Sequence, residues 1–222
     1  MTRIRPALLL LATLAAGCGT NRPDIPKELL QPVGDAGASG YPAGPYGSAE
    51  GATVENFLFT QGWMDPEAAG YDPAKLAPIQ LSDFYDPDGT KGIEILLINT
   101  AAVWCSACKA EHGGSGSTKN LNDHFNELSP KGFRILSLLF QDAQSQPPTA
   151  DHLVAWTTSF ETHFPMALDP EFQMGRYASA ETAPLNMVVD ARTMKILKKY
   201  IGDKSAVIWP YIENELDKRA AQ

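Results

Sequence analysis

The stretch IEILLINTAAVWCSAC, residues 93–108, decides both the fold and the chemistry of this chain. Its first half is a near-continuous aliphatic run, which predicts a strand covered on both faces. Its second half places Cys105 and Cys108 where that strand passes into a helix. At a helix N-terminus the free N–H groups and the helix dipole stabilise a thiolate. The pair therefore predicts thiol–disulfide redox chemistry, in which Cys105 attacks and Cys108 resolves the mixed disulfide.

Two other interpretations of the cysteine pair stay open, a zinc site and an inert disulfide. Zinc is usually held by about four ligands, and the chain has one further cysteine, Cys18. An inert disulfide of such short span would close almost no loop and would stabilise the fold little. Redox function is the favoured interpretation. No metal and no organic cofactor is expected for it, because the disulfide itself is the redox group.

Residues 1–17 have the composition of a bacterial lipoprotein signal peptide. Arg3 and Arg5 form a basic start, an apolar run follows over residues 7–16, and small residues precede Cys18. We expect cleavage before Cys18 and lipid attachment to it. The protein would then be a periplasm-facing lipoprotein of the inner or outer membrane, in a compartment that permits disulfides. Ordinary secretion without lipid is the alternative.

The rest of the chain divides by composition into a tether and a globular domain. Residues 18–54 are rich in Pro and Gly and poor in apolar residues, which predicts a flexible tether after the lipidated cysteine. Residues 55–222 are expected to form one domain. The chain holds 18 Lys and Arg against 26 Asp and Glu, a net charge of −8. Such an acidic balance argues against a nucleic-acid partner and leaves membrane attachment to the acyl chains.

The order of predicted elements indicates an α/β fold with a central mixed sheet flanked by helices. Glycines after His112 predict that the cysteine-bearing helix breaks and restarts near Thr118. The other predicted elements are a short strand at 54–59, a strand at 133–140, a helix from Thr149, a hairpin of strands at 185–189 and 195–201, and a terminal helix from Ser205.

The chain resembles the thioredoxin-fold thiol:disulfide oxidoreductases, within them the extracytoplasmic TlpA-like or redoxin branch. Trp104 beside the cysteines, Glu111 three residues after the second cysteine, and Ala183-Pro184 before a strand carry the resemblance. It covers about residues 55–218 and implies a thioredoxin-like fold. It also implies that Pro184 is cis and lies against the disulfide, and that the backbone of Ala183 pairs with a bound protein. Trp104, Ala183 and Pro184 are therefore predicted to bind substrate.

Glu111 is predicted to exchange a proton with Cys108, since a carboxylate near a thiolate raises its pKa and tunes proton transfer. A solvated position on the helix surface is the alternative. The resemblance further implies protein thiols and disulfides as partners and a membrane electron donor. It favours a reductase, because anchored relatives commonly act as one.

Two other functions are alternatives to thiol–disulfide exchange. Cys105, Cys108 and His112 fall at i, i+3 and i+7 and could share one helix face. Thiolates with an imidazole suit Cu(I) or zinc, so a copper or zinc carrier is the alternative. A thiol peroxidase is less favoured, because it needs a threonine three residues before its cysteine, where this chain has Ala102.

Overall fold

The computed structural model describes residues 40–114 and 118–221. The predicted signal peptide, Cys18 and most of the predicted tether lie outside the described residues. The strands are β1 (Leu58–Trp63), β2 (Ala77–Gln80), β3 (Ile95–Ala102), β4 (Phe133–Gln141), β5 (Met166–Leu168), β6 (Leu185–Asp190) and β7 (Lys195–Ile201). The α-helices are α1 (Pro66–Ala69), α2 (Ser106–Gly113), α3 (Leu121–Leu128), α4 (Ala150–Ser159) and α5 (Ser205–Ala220).

The strands form one mixed sheet in the order β2-β1-β5-β4-β3-β6-β7. β3 pairs in parallel with β4 and antiparallel with β6, so the strand that leads to the cysteines lies inside the sheet. All of its residues are buried, which agrees with the aliphatic run in the sequence. The predicted mixed α/β sheet is confirmed, as is the hairpin of β6 and β7.

Helices α2 to α5 cover one face of this sheet. Alternate side chains of β3, among them Ile95 and Leu97, point to this face and join a core built with residues of all four helices. The helix residues in that core are Cys108, Leu121, Leu128, Leu153, Trp156, Ile208, Trp209, Ile212 and Leu216. The functional residues on this face therefore lie between sheet and helices.

The other face of the sheet is covered by chain outside the α-helices, including short 3-10 helices and part of the predicted tether. Tyr41 and Val54 are buried there beside Leu96 and Ile98 of β3. Backbone bonds tie this segment to the β7 edge: Gly51 N–H donates to the Ile196 carbonyl at 2.7 Å, and Ile196 N–H donates to Ala52 at 2.9 Å. The folded part of the chain thus begins well before the predicted boundary at residue 55. The few apolar residues of this segment pack into a core that the sheet already provides.

The cysteine-bearing helix ends early, as its glycines predict. α2 stops at Gly113, and Gly114 takes a positive φ of 74°, a conformation that glycine adopts without strain. α3 starts at Leu121, three residues after the predicted restart, because Asn120 caps it by accepting from Asp123 N–H at 2.8 Å.

Candidate active site

Cys105 and Cys108 form a disulfide at the start of α2, with their Cα atoms 5.3 Å apart. Cys105 is the N-cap of this helix, and its Sγ accepts a hydrogen bond from Cys108 N–H at 3.1 Å. In most helices an oxygen of Ser, Thr, Asp or Asn accepts the hydrogen bond at the N-cap position. Here the sulfur of Cys105 accepts it, so the helix dipole favours a negative charge on that sulfur. Cys105 is 3% exposed and Cys108 is fully buried. Of the two sulfurs, that of Cys105 is the one a partner can reach.

Trp104 stands beside the disulfide with its ring 37% exposed. Its indole N–H donates to the side-chain oxygen of Gln141 at 2.9 Å. The backbone of Gln141, at the end of β4, accepts from Val103 N–H at 2.9 Å. Two hydrogen bonds to one residue therefore hold this aromatic surface next to Cys105, where it is open to a partner chain.

The Ala183-Pro184 bond is cis, as the resemblance implies. Pro184 is buried, while Ala183 is half-buried and packs against the core that contains both cysteines. Leu185 N–H donates to the Thr100 hydroxyl at 3.0 Å, which ties the start of β6 to the end of β3. The structure therefore brings Ala183 and Pro184 to the same end of the sheet as the cysteine pair.

Glu111 lies in α2, about one helical turn beyond Cys108, and is buried rather than solvated. Asn186 donates to its Oε1 at 2.7 Å, and Asn99 donates to its Oε2 at 3.0 Å. Burial raises the pKa of Glu111 to about 8. The hydrogen bonds from the two asparagine side chains act in the opposite direction, because they favour the ionised form. A carboxyl with such a pKa is half-protonated near pH 8 and can both accept and release a proton close to that pH.

Asn99, Ser137 and Asn186 are site residues that the sequence analysis missed. They are direct neighbours across β4, β3 and β6, since Asn99 is in register with both Ser137 and Asn186. The row faces α2 and is almost fully buried. The available signal was a polar residue inside each of three apolar strands, which burial allows only when the polar group is hydrogen-bonded.

His112 is buried in the core, where both nitrogens of its ring have partners other than the cysteine sulfurs. Its Nε2 lies 3.2 Å from the Ser137 hydroxyl, and its Nδ1 accepts from Trp156 Nε1 at 3.4 Å. Burial lowers the pKa of His112 to about 3, so its ring is neutral. Both ring nitrogens are engaged, and the described residues contain no group of three side chains suited to a metal. The hypothesis of a copper or zinc carrier through His112 is not supported.

No helix in residues 40–114 or 118–221 has both the length and the apolar character needed to cross a bilayer. Attachment through Cys18 concerns residues outside this range.

Comparison with known proteins agrees with the cysteine site. The chain is 27% identical over 158 residues to the thiol:disulfide interchange protein DsbE of Vibrio cholerae, a match covering 64% of this chain and 76% of the relative. It is 23% identical over 127 residues to DsbE of Escherichia coli K12, covering 57% and 60%. The chain thus spans between half and three quarters of the length of the curated relatives it matches. No protein-family model matches it.

Solved structures confirm the fold. The thioredoxin domain of a thiol-disulfide oxidoreductase from Bacteroides vulgatus superposes with a TM-score of 0.52 at 15% identity, covering 76% of this chain and 98% of that one. A secreted thiol-disulfide isomerase from Corynebacterium glutamicum gives a TM-score of 0.51 at 17% identity, covering 73% and 87%. The predicted resemblance to thioredoxin-fold thiol:disulfide oxidoreductases is confirmed.

Proposed function

We propose that this chain catalyses extracytoplasmic thiol:disulfide exchange and that it reduces disulfides in protein partners. The observation that carries the proposal is the Cys105–Cys108 disulfide at the N-terminus of α2, with the more accessible sulfur in the N-cap position. Relatives named for thiol:disulfide interchange support the same reaction.

The reaction begins with both cysteines reduced. The Cys105 thiolate attacks one sulfur of the substrate disulfide, forms a mixed disulfide and releases the other substrate sulfur as a thiolate that takes up a proton. Cys108 then gives its proton to Glu111 and attacks the Cys105 sulfur. The Cys105–Cys108 bond forms, and the second substrate thiolate leaves and receives the proton from Glu111. Two electrons pass from the enzyme to the substrate. One proton reaches the substrate from Cys108 through Glu111, and the other comes from solvent, which took the proton of Cys105 when its thiolate formed.

The surroundings of Cys105 support the direction of electron flow. A strong oxidant is one whose reduced form is stabilised. Here Cys105 is 3% exposed, and its Sγ accepts a hydrogen bond from Cys108 N–H. Burial of a sulfur in apolar surroundings disfavours its thiolate. Burial of the sulfur opposes the stabilisation that the helix N-terminus gives to the thiolate. A thiolate that is less stabilised favours the disulfide and makes the reduced protein a better electron donor.

The rest of the proposal concerns partners and location. Trp104, Ala183 and Pro184 form the surface against which an extended substrate segment lies, with the Ala183 backbone pairing to it. A membrane protein that carries a dithiol returns the two electrons to the Cys105–Cys108 disulfide. Lipid on Cys18 holds the protein in the bacterial cell envelope, facing the periplasm, and residues 18–39 link that anchor to the folded domain.

Reduction of insulin by the full chain tests the proposed reaction. We expect turnover with dithiothreitol as electron source and none for Cys105→Ser. Cys108→Ser should instead accumulate a mixed disulfide between Cys105 and substrate, because the resolving sulfur is missing. Activity that survives Cys105→Ser would exclude the mechanism.

The reduction potential of the pair tests the direction. Equilibration against dithiothreitol, followed by thiol counting, should give a value near or below that of thioredoxin, about −270 mV. A value near about −120 mV, typical of a dedicated oxidant, would contradict a reductase while leaving the exchange reaction intact.

A further inference from the structure

A chain of hydrogen bonds with one direction runs through the core toward Glu111. The indole of Trp156 can only donate, so Nδ1 of His112 is an acceptor in their 3.4 Å contact. A neutral His112 then carries its proton on Nε2 and donates it to the Ser137 hydroxyl at 3.2 Å. The hydroxyl hydrogen of Ser137 points to the side-chain oxygen of Asn99 at 2.7 Å. Each bond thus sets the direction of the next.

The two asparagines complete the chain at the carboxyl. The oxygen of Asn99 is engaged by Ser137, so its NH₂ group donates to Glu111 at 3.0 Å and to the oxygen of Asn186 at 2.9 Å. Asn186 in turn donates to the second oxygen of Glu111 at 2.7 Å. Every N–H and O–H group in the chain is directed toward the carboxyl, and hydrogen bonds aligned in this way strengthen one another.

We infer that this chain, the Glu111 network (Trp156, His112, Ser137, Asn99 and Asn186), positions the Glu111 carboxyl for proton exchange with Cys108. The inference rests on the proposed function, which gives Cys108 a proton to exchange. Members of the network act through Glu111 and are positioning residues. His112, Ser137 and Asn186 thereby gain a role in the redox reaction although they lie in the core.

The physical reason is the opposition between burial and hydrogen bonding. A carboxyl in the core favours its neutral form, which cannot accept a proton from Cys108. The amide N–H groups of Asn99 and Asn186 stabilise the ionised form. The carboxylate of Asp203, beyond β7, acts in the opposite sense on Glu111, and the network itself carries no charge while His112 is neutral. Loss of a network bond should therefore make Glu111 hold its proton to higher pH.

The network is held rigidly by the sheet, so a change at His112 can affect the Glu111 carboxyl at the other end. Ser137, Asn99 and Asn186 are held in register by three neighbouring strands, so their side chains cannot separate without disturbing the sheet. His112 is fixed by ring contacts with Phe160 and Phe164, at centroid distances of 5.6 and 5.8 Å. A rigid row transmits the orientation of the imidazole to the carboxyl.

Titration of Glu111 in the full, oxidised chain tests the inference. The protein is labelled with ¹³C in its glutamate carboxyl groups, and the Glu111 signal is assigned by its loss in Glu111→Gln. The parent should titrate near pH 8. Asn186→Ala, which removes a direct donor, should raise the midpoint by about one unit or more, and Ser137→Ala should raise it by a smaller but resolved amount. His112→Phe should act like Ser137→Ala.

His124→Phe is the matched control. His124 is also a buried histidine, but it stacks on Trp209 at a centroid distance of 3.6 Å, away from Glu111. It should leave the Glu111 midpoint where the parent has it. An unchanged midpoint in Ser137→Ala and His112→Phe would overturn the inference, and so would an equal shift in His124→Phe. Ser137→Ala removes one oxygen only and decides the question alone if His112→Phe does not fold.

A kinetic readout links the titration to the reaction. The pH at which the mixed disulfide of Cys105 is resolved at half its maximal rate should rise in Ser137→Ala together with the carboxyl midpoint. A midpoint that moves while this rate profile stays fixed would overturn the role in proton exchange. The titration needs no turnover, so a chain that fails to reduce insulin but shows the midpoint shifts would contradict the proposed function and not the coupling within the network.

Discussion

Replacement of Glu111 by Gln should change how the stability of the protein depends on pH. The side chain is buried between α2 and the sheet, where its two oxygens accept from Asn99 and Asn186. Gln has nearly the same shape and stays neutral at every pH. The NH₂ group of Gln faces one of the two asparagine donors, and the O–H group of the protonated carboxyl does the same. The variant is therefore a mimic of the neutral acid.

The size of the effect follows from the pKa of Glu111, which burial raises from 4.5 to about 8. Between these values the folded chain holds a proton that the unfolded chain has released. Unfolding then releases a proton, so the free energy of unfolding falls as pH rises, by about 1.4 kcal/mol for each pH unit. From pH 5 to pH 8 the parent should lose about 3.5 kcal/mol relative to Glu111→Gln, because the slope is not yet complete near pH 5 and levels off near pH 8.

Urea unfolding of the oxidised parent and variant, at intervals from pH 5 to pH 9, measures this difference. Titration of other groups cancels in the comparison, including that of His112, whose depressed pKa makes stability fall in acid instead. Glu127→Gln is the control. A hydrogen bond from Lys119 lowers the pKa of Glu127, so the same substitution there should give a flat difference above pH 5.

The reasoning is refuted if parent and Glu111→Gln lose stability in parallel across this range. Parallel curves would mean that the folded chain keeps Glu111 ionised near its ordinary pKa. The carboxyl would then be too weak a base to hold a proton near neutral pH, and it could not carry the proton of Cys108 in the proposed step.

Two further predictions concern stability away from the cysteines. Arg219→Met should lower the free energy of unfolding by about 1 to 2 kcal/mol, because it removes a largely buried charged hydrogen bond to Asp190 at 2.7 Å. Lys218→Met removes an exposed ion pair and should change the free energy of unfolding by no more than about 0.5 kcal/mol in the same urea titration. Deletion of residues 1–54 should lower the free energy of unfolding by about 3 to 5 kcal/mol and cause self-association visible in sedimentation. It removes Tyr41 and Val54 from the core on the face of the sheet opposite the α-helices, and it uncovers β7.

The sequence predicts the parts of the fold that rest on strong local patterns. The buried strand before Cys105, the hairpin after Pro184 and the cap at Thr149 are each set by residues close together in the chain. The strand predicted at 54–59 lies instead at Leu58–Trp63. Val54 forms a backbone hydrogen bond at the β7 edge, which no local sequence pattern predicts. The short strands β2 and β5 take their form from their neighbours in the sheet and carry too few residues for a periodic signal.

The candidate site divides in the same way. Cys105, Cys108, Trp104 and Pro184 belong to compact motifs and could be predicted. His112 shows the limit of spacing arguments, since its place in α2 is compatible with the cysteines while its ring is held in the core by Ser137 and Trp156. Residues from β4, β6 and α4 meet Glu111 only through the register of the folded sheet, so their shared role could not be predicted from one sequence.

A buried carboxyl among three polar strand residues breaks the rule that a core is apolar, and the break lies directly beneath the cysteine helix. Replacing Glu111 and its partners by aliphatic residues would raise stability at neutral pH, since a carboxyl and its polar partners are costly to remove from water. The cost is understandable if Cys108, itself fully buried, needs a proton acceptor that solvent cannot supply. Burial keeps the Cys108 sulfur itself away from stray thiols, and it makes an internal proton site necessary. The stability lost at Glu111 and the chemistry gained at Cys108 are thus two consequences of the same placement.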